Sequence, residues 1–159
     1  MPTTSNRTFV RGAIPLLLAT VLAAGLSRGE GESEAEKARL KKLDSGPKTV
    51  DVTKYPKEMQ DNYALFKTKC VKCHNLARPI NCNFVLPGEW ERYIKRMVFK
   101  PDSKMTEENG KQIYQFLVYD SSVRKADSLR VHLAALAPED RDVALGKIKA
   151  LNPAFEPAH

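Results

Sequence analysis

The sequence predicts an all-α fold, and three observations carry that expectation. Apolar residues recur at helical spacing in several separate stretches. Proline, capping and charge signals bound those stretches. No run alternates apolar and polar residues over the length of a strand. With 159 residues, 42% of them hydrophobic, the chain can bury the modest core of one domain.

The elements follow in order. Residues 1–11 carry Arg7 and Arg11 and no acid, and residues 12–26 read GAIPLLLATVLAAGL. A basic start, a short apolar run and small residues at its end predict a secretory signal over residues 1–27. A spanning helix needs about 20 apolar residues, and this run is shorter, so cleavage among residues 23–28 is expected over retention as an anchor. No cysteine follows the run and the two arginines are not adjacent, which fits the general secretion route without a lipid anchor. The expected location is therefore periplasmic, with membrane contact only if the segment is retained.

Residues 28–55 are charged and poor in large apolar side chains, which predicts a flexible tether, with a short helix over residues 33–43 and an extended lead-in, VDVTKYP. The main domain is expected over residues 56–124. Its first helix carries Met59, Tyr63, Ala64, Phe66 and Cys70 on one face. Residues 77–88, broken by Pro79 and Pro87, predict a loop. PGEWERYIKRMVF restarts a helix, with Pro87 at its entry, Glu89 and Glu91 in the first turn and Lys95 and Arg96 near the end. Trp90, Ile94, Met97 and Val98 share its apolar side, and KPDSK ends it. A third helix begins after Thr106, a suitable N-cap, and turns Ile113, Phe116, Leu117 and Tyr119 inward. Residues 125–159 form an extension with two more helical stretches, KADSLRVHLAAL and PEDRDVALGKIKAL, the second stopped at Asn152-Pro153.

Net charge is +7, and removing Arg7 and Arg11 with the signal leaves +5. A basic surface suits an acidic protein or an anionic membrane. Nucleic acid is disfavoured, because no Lys/Arg run is interleaved with aromatic residues. The acids are dispersed on helix surfaces and form no catalytic constellation of the hydrolase kind.

The chemistry concentrates in CVKCH, Cys70 to His74. Structural zinc needs four ligands, generally two close pairs, and only Cys82, His132 and His159 remain to supply a second. A thioredoxin-like dithiol needs a βαβ context, which is missing. Covalent haem attachment fits better than either, or than coincidence. Thiols three apart lie on one helix face, so Cys70 and Cys73 can add to two vinyl groups of one porphyrin. His74, four residues from Cys70, can bind the iron axially. Such haems are attached after export, in agreement with the signal.

LFKTKCVKCH resembles the N-terminal helix and haem motif of the class I monohaem cytochromes c. MTEENGKQIYQFL is similar to that family's C-terminal helix. RPINCNFVLPGEWERYIKRM resembles a compact bacterial branch in which a Trp-bearing helix delivers the distal ligand. The resemblance covers about residues 58–119. It implies cytochrome c-like helices around one covalently bound haem c, the helices before and after the motif crossing beside the porphyrin.

The resemblance also implies a methionine opposite His74. It favours Met97, at the family's RM position, over Met105 in the loop before the last helix and over His132; His159 is the last residue. A proline carbonyl after the motif often orients the proximal histidine in this family, which makes Pro79 the candidate. Cys82 is expected to be a packed free thiol and Trp90 a core residue. Lys67, Lys69 and Lys72 would ring the haem edge and face redox partners with an acidic docking surface. The expected function is a periplasmic carrier of single electrons, not a catalyst. The alternatives are a haem enzyme or small-ligand sensor with an open iron site, or a membrane-tethered haem subunit of a respiratory complex.

Overall fold

The computed structural model describes Met1, residues 33–71 and residues 75–157. Among the described residues the chain is all-helical, in the order α1 (Glu34–Asp44), α2 (Lys57–Cys70), α3 (Ala77–Asn81), α4 (Pro87–Val98), α5 (Glu107–Arg124), α6 (Ala126–Ala134) and α7 (Pro138–Leu151). The expected signal, apart from Met1, lies outside the described residues. So do Lys72, Cys73, His74 and His159.

α5 organises residues 33–157: α2 and α4 pack on it from one part of the chain, α6 and α7 from the other. Its start is fixed by Thr106, whose hydroxyl accepts from the Asn109 amide at 3.1 Å. Its crossing with α2 is aromatic. Phe116 lies 5.0 Å from the Tyr63 ring and 5.4 Å from Phe66, and Phe66 and Phe116 are fully buried. Such ring pairs add to the stabilisation that burial itself gives.

The α4–α5 crossing instead depends on a missing side chain. A Cβ on Gly110 would stand 2.7 Å from the Val98 Cγ2 and 3.2 Å from the Ile94 Cγ2. Val98 and Ile94 are β-branched and stiff, so they yield little. Gly110→Val is therefore expected to cost about 1–3 kcal/mol through overpacking, read as a lower urea midpoint at unchanged m-value.

α4 begins where the sequence places it. The Glu89 carboxylate reaches back to accept from the amides of Val85 and Leu86, at 2.9 and 2.8 Å, which satisfies donors that a helix start leaves open. Trp90 is buried, and its indole N–H donates to the Ser121 hydroxyl at 2.9 Å, which donates in turn to the Leu117 carbonyl.

Two expectations need correction. Residues 77–88 are not loop throughout, because α3 occupies the first five. Pro79 is tolerated there, since it falls in the first turn, where a backbone N–H has no intrahelical partner. The domain also starts earlier than residue 56. The expected tether, residues 28–55, contains the short helix expected there, as α1, but the chain after it is tied down. Asp44 forms a two-pronged ion pair with Arg78, at 3.1 and 2.6 Å. Asn81 donates to the carbonyls of Leu43 and Pro47. The Val50 amide donates to the Tyr63 hydroxyl at 2.9 Å, and Val50 and Tyr55 are buried. The low apolar content that suggested a tether is offset by these polar contacts.

The helical extension is present as expected, and it packs into the same core. Leu129, Leu133 and Ile148 are buried, Phe155 folds back under the Arg130 guanidinium, and Asn152 donates to the Ser122 hydroxyl at 2.8 Å.

Candidate haem-attachment site

Cys70 is the last residue of α2 and is buried. The helix face predicted from the sequence is the one that packs: Met59, Tyr63, Phe66 and Cys70 are all buried, and Ala64 is exposed. Cys70 therefore leads the chain out of the α2–α5 crossing into residues 72–74, which lie outside the described residues.

Three aromatic rings of α4 and the segment before it form a cluster. Phe84, Trp90 and Tyr93 meet edge to face, with centroids 5.6, 5.8 and 6.0 Å apart. Burial pushes the Tyr93 phenol well above its usual range, and the nearby Cys70 and Cys82 thiols push it further. Tyr93 thus lies in the neighbourhood of both cysteines.

The two candidate methionines come to the same end of the molecule. Met97 is half-buried, one helical turn beyond Tyr93 on the same side of α4. Met105 is half-buried and packs against the core. The Lys69 ammonium reaches the Lys104 carbonyl at 3.4 Å, which brings the chain just before Met105 to the last turn of α2. Asp102 and Lys104 hold positive φ, 65° and 50°, so this connection is a strained turn. His132 is placed elsewhere, on α6, which packs against α5 and α7; its Nδ1 lies 2.8 Å from the Ser128 carbonyl.

Cys82 is a buried free thiol. It donates to the Pro79 carbonyl at 3.2 Å, the same carbonyl the resemblance assigns to His74. A carbonyl has two lone pairs, so one does not exclude the other. Burial raises the Cys82 thiol above its ordinary range, opposed by the charge of Lys125.

The sequence reading missed the pair that holds this segment. At the end of α5, Arg124 donates to the Ile80 carbonyl at 3.1 Å, and Lys125 to those of Cys82 and Phe84 at 2.7 and 3.3 Å. The Lys125 ammonium also lies 5.4 Å from the Trp90 ring centroid, a cation–π distance. Burial holds its pKa below the usual lysine value. The available signal was the adjacent Arg-Lys at a helix C-terminus, where cations commonly bond carbonyls. What they bond here is a distant loop.

The fold carries an alkaline liability. Tyr55, Tyr93 and Tyr114 are all raised above the ordinary 10.0, and Cys82 above 9.0, each chiefly by burial. The unfolded chain releases these protons first, so their stabilisation is complete below about pH 9 and is lost as pH rises from there. Lys147, raised by its bond to Glu91, acts in the same sense, and Lys125, being lowered, opposes as one group against five. Urea midpoints are expected to fall steadily between pH 9 and 11, and Tyr93→Phe to reduce the slope.

Among the described residues, no three His, Cys, Asp or Glu side chains gather to hold a metal ion, and no helix is long and apolar enough to cross a membrane. No protein-family model, no curated protein and no solved structure matches the chain.

Proposed function

We propose that the protein is an exported, periplasmic c-type cytochrome with one covalently attached haem, passing single electrons between larger redox partners. The observation that carries this reading is CVKCH beginning at the buried last residue of α2, with α5 packed across that helix. The described residues fit such a group. Cys70 is a buried thiol, Tyr93 lies in its neighbourhood, the half-buried Met97 follows Tyr93 by one turn of α4, and the half-buried Met105 follows the Lys104 carbonyl that Lys69 reaches.

Cys70 and Cys73 would hold the macrocycle through thioether bonds, His74 would bind the iron, and Met97 would take the opposite position. Bound there, haem supplies reversible one-electron iron chemistry. The chain's own share is to hold and to shield. Phe84, Trp90 and Tyr93 keep water from one flank. Arg124 and Lys125 fix the segment that carries Pro79, and a fixed segment limits reorganisation around the iron. Lys67 is exposed, as are Lys100 and Lys104. Such a group of cations would steer an acidic partner toward this end.

The test is the pyridine haemochrome spectrum of the protein produced with a haem-maturation system. The two-thioether type of α band is expected, with haem retained after acid-acetone extraction. Protein that folds and carries no covalent haem would sink the reading.

A further inference from the structure

A groove of about 730 Å³ runs between α4, α5 and α7, within the roughly 300–1,000 Å³ typical of small-molecule sites. Ile94, Val98 and Leu151 line it, Tyr114 stands in its wall, and Phe99 forms a lip that is 66% exposed.

Its rim is charged, and the charges do not cancel. Lys147 is tied to Glu91 across α4 and α7 at 2.8 Å, which neutralises both. Lys95 and Lys111 also border the groove and make no ion pair among the described residues; against these two cations stands one uncommitted acid, Glu107. The Tyr114 phenol is kept protonated by burial and makes no hydrogen bond among the described residues, so it adds a neutral donor beside the lysines.

We propose that this groove binds a free single-chain anionic amphiphile, its chain on Ile94, Val98, Phe99 and Leu151 and its head group at Lys95 and Lys111. An apolar floor under two ammonium groups that a single carboxylate only half offsets complements that chemistry better than that of a neutral or cationic ligand. The inference is independent of the haem reading, since no residue of CVKCH takes part.

The test is calorimetric titration of the purified full-length protein with dodecanoate below its micellar concentration, with dodecyl maltoside as the neutral-headed probe. Saturable one-to-one binding of dodecanoate is expected, with the maltoside at least about tenfold weaker. The exposed double variant Lys95→Gln/Lys111→Gln should weaken dodecanoate about tenfold and leave the maltoside unchanged; Phe99→Ser should weaken both. No saturable binding, equal affinity for the two probes, or binding that both variants leave intact would overturn the proposal. So would stronger binding to phosphatidylglycerol vesicles than to dodecanoate, lost in the lysine double variant, because the face would then be a membrane contact.

Discussion

With haem bound as proposed, Met97→Ala is expected to abolish the far-red charge-transfer band of the ferric form and to lower the reduction potential by on the order of 0.1 V or more. Axial ligands span roughly 0.8 V in haem proteins, and thioether sulfur lies toward the high end because it favours ferrous iron. The matched variant Met105→Ala should leave band and potential in place and cost stability instead, since Met105 packs against the core. Truncating a packed methionine costs about 2–5 kcal/mol, and Met105, being only half-buried, falls toward the lower figure. The physical basis is placement. Met97 continues the α4 face that bears Tyr93, whereas Met105 follows a turn strained at Asp102 and Lys104 and anchored by Lys69. If Met105→Ala removes the band and Met97→Ala spares it, the assignment reverses.

Asp120→Ala is expected to produce the largest stability loss outside the cysteine end. Asp120 is 3% exposed. It accepts from the Tyr55 hydroxyl at 3.0 Å and from Arg124 Nη2 at 2.6 Å and Nε at 3.1 Å. Arg124 in turn donates to the Ile80 carbonyl. One carboxylate therefore joins the lead-in before α2, the end of α5 and α3. Removing one partner of a buried pair costs about 3–5 kcal/mol, because the other charge is left uncompensated. The Arg124 side chain is 34% exposed and regains some hydration, which sets the expected loss near 3 kcal/mol. Tyr55→Phe, which deletes one hydrogen bond to the same oxygen, should cost about 1 kcal/mol. Urea denaturation of both variants checks the ranking; a loss under about 1 kcal/mol for Asp120→Ala would show the network to be dispensable.

Both predictions rest on residues of very different legibility. Met97 was readable as a candidate because the resemblance implies a methionine at that RM position, and the motif and helix that carry the resemblance are local patterns. Asp120 was not, because its partners lie 65 residues before it and four after it along the chain. In the sequence it is one more acid in YDSS. Lys125 was invisible for the same reason: its carbonyl partners are more than forty residues away.

The local record was otherwise read closely. Thr106 caps α5, Pro87 opens α4, and α7 stops at Asn152, because capping and breaking act within a turn of the residues that cause them. The misreadings fall where local composition and long-range contact disagree. Pro79 marks a loop by propensity, and the first turn of a short helix accommodates it. Residues 43–55 look too polar to pack, and they are held by Asp44, Asn81, Tyr63 and Asp120.

By itself the sequence determined the all-helical class, the helix faces and the chemistry expected of Cys70, Cys73 and His74, because each depends on spacing along one segment. Only the tertiary structure decided that the chain before α2 and the extension after α5 share one core with it. It alone brought both methionines to the cysteine end, and it alone opened a lysine-rimmed groove between α4, α5 and α7. The physical reason is that burial and ion pairing are properties of distance in space, and residues far apart in the chain acquire that distance only when the helices cross.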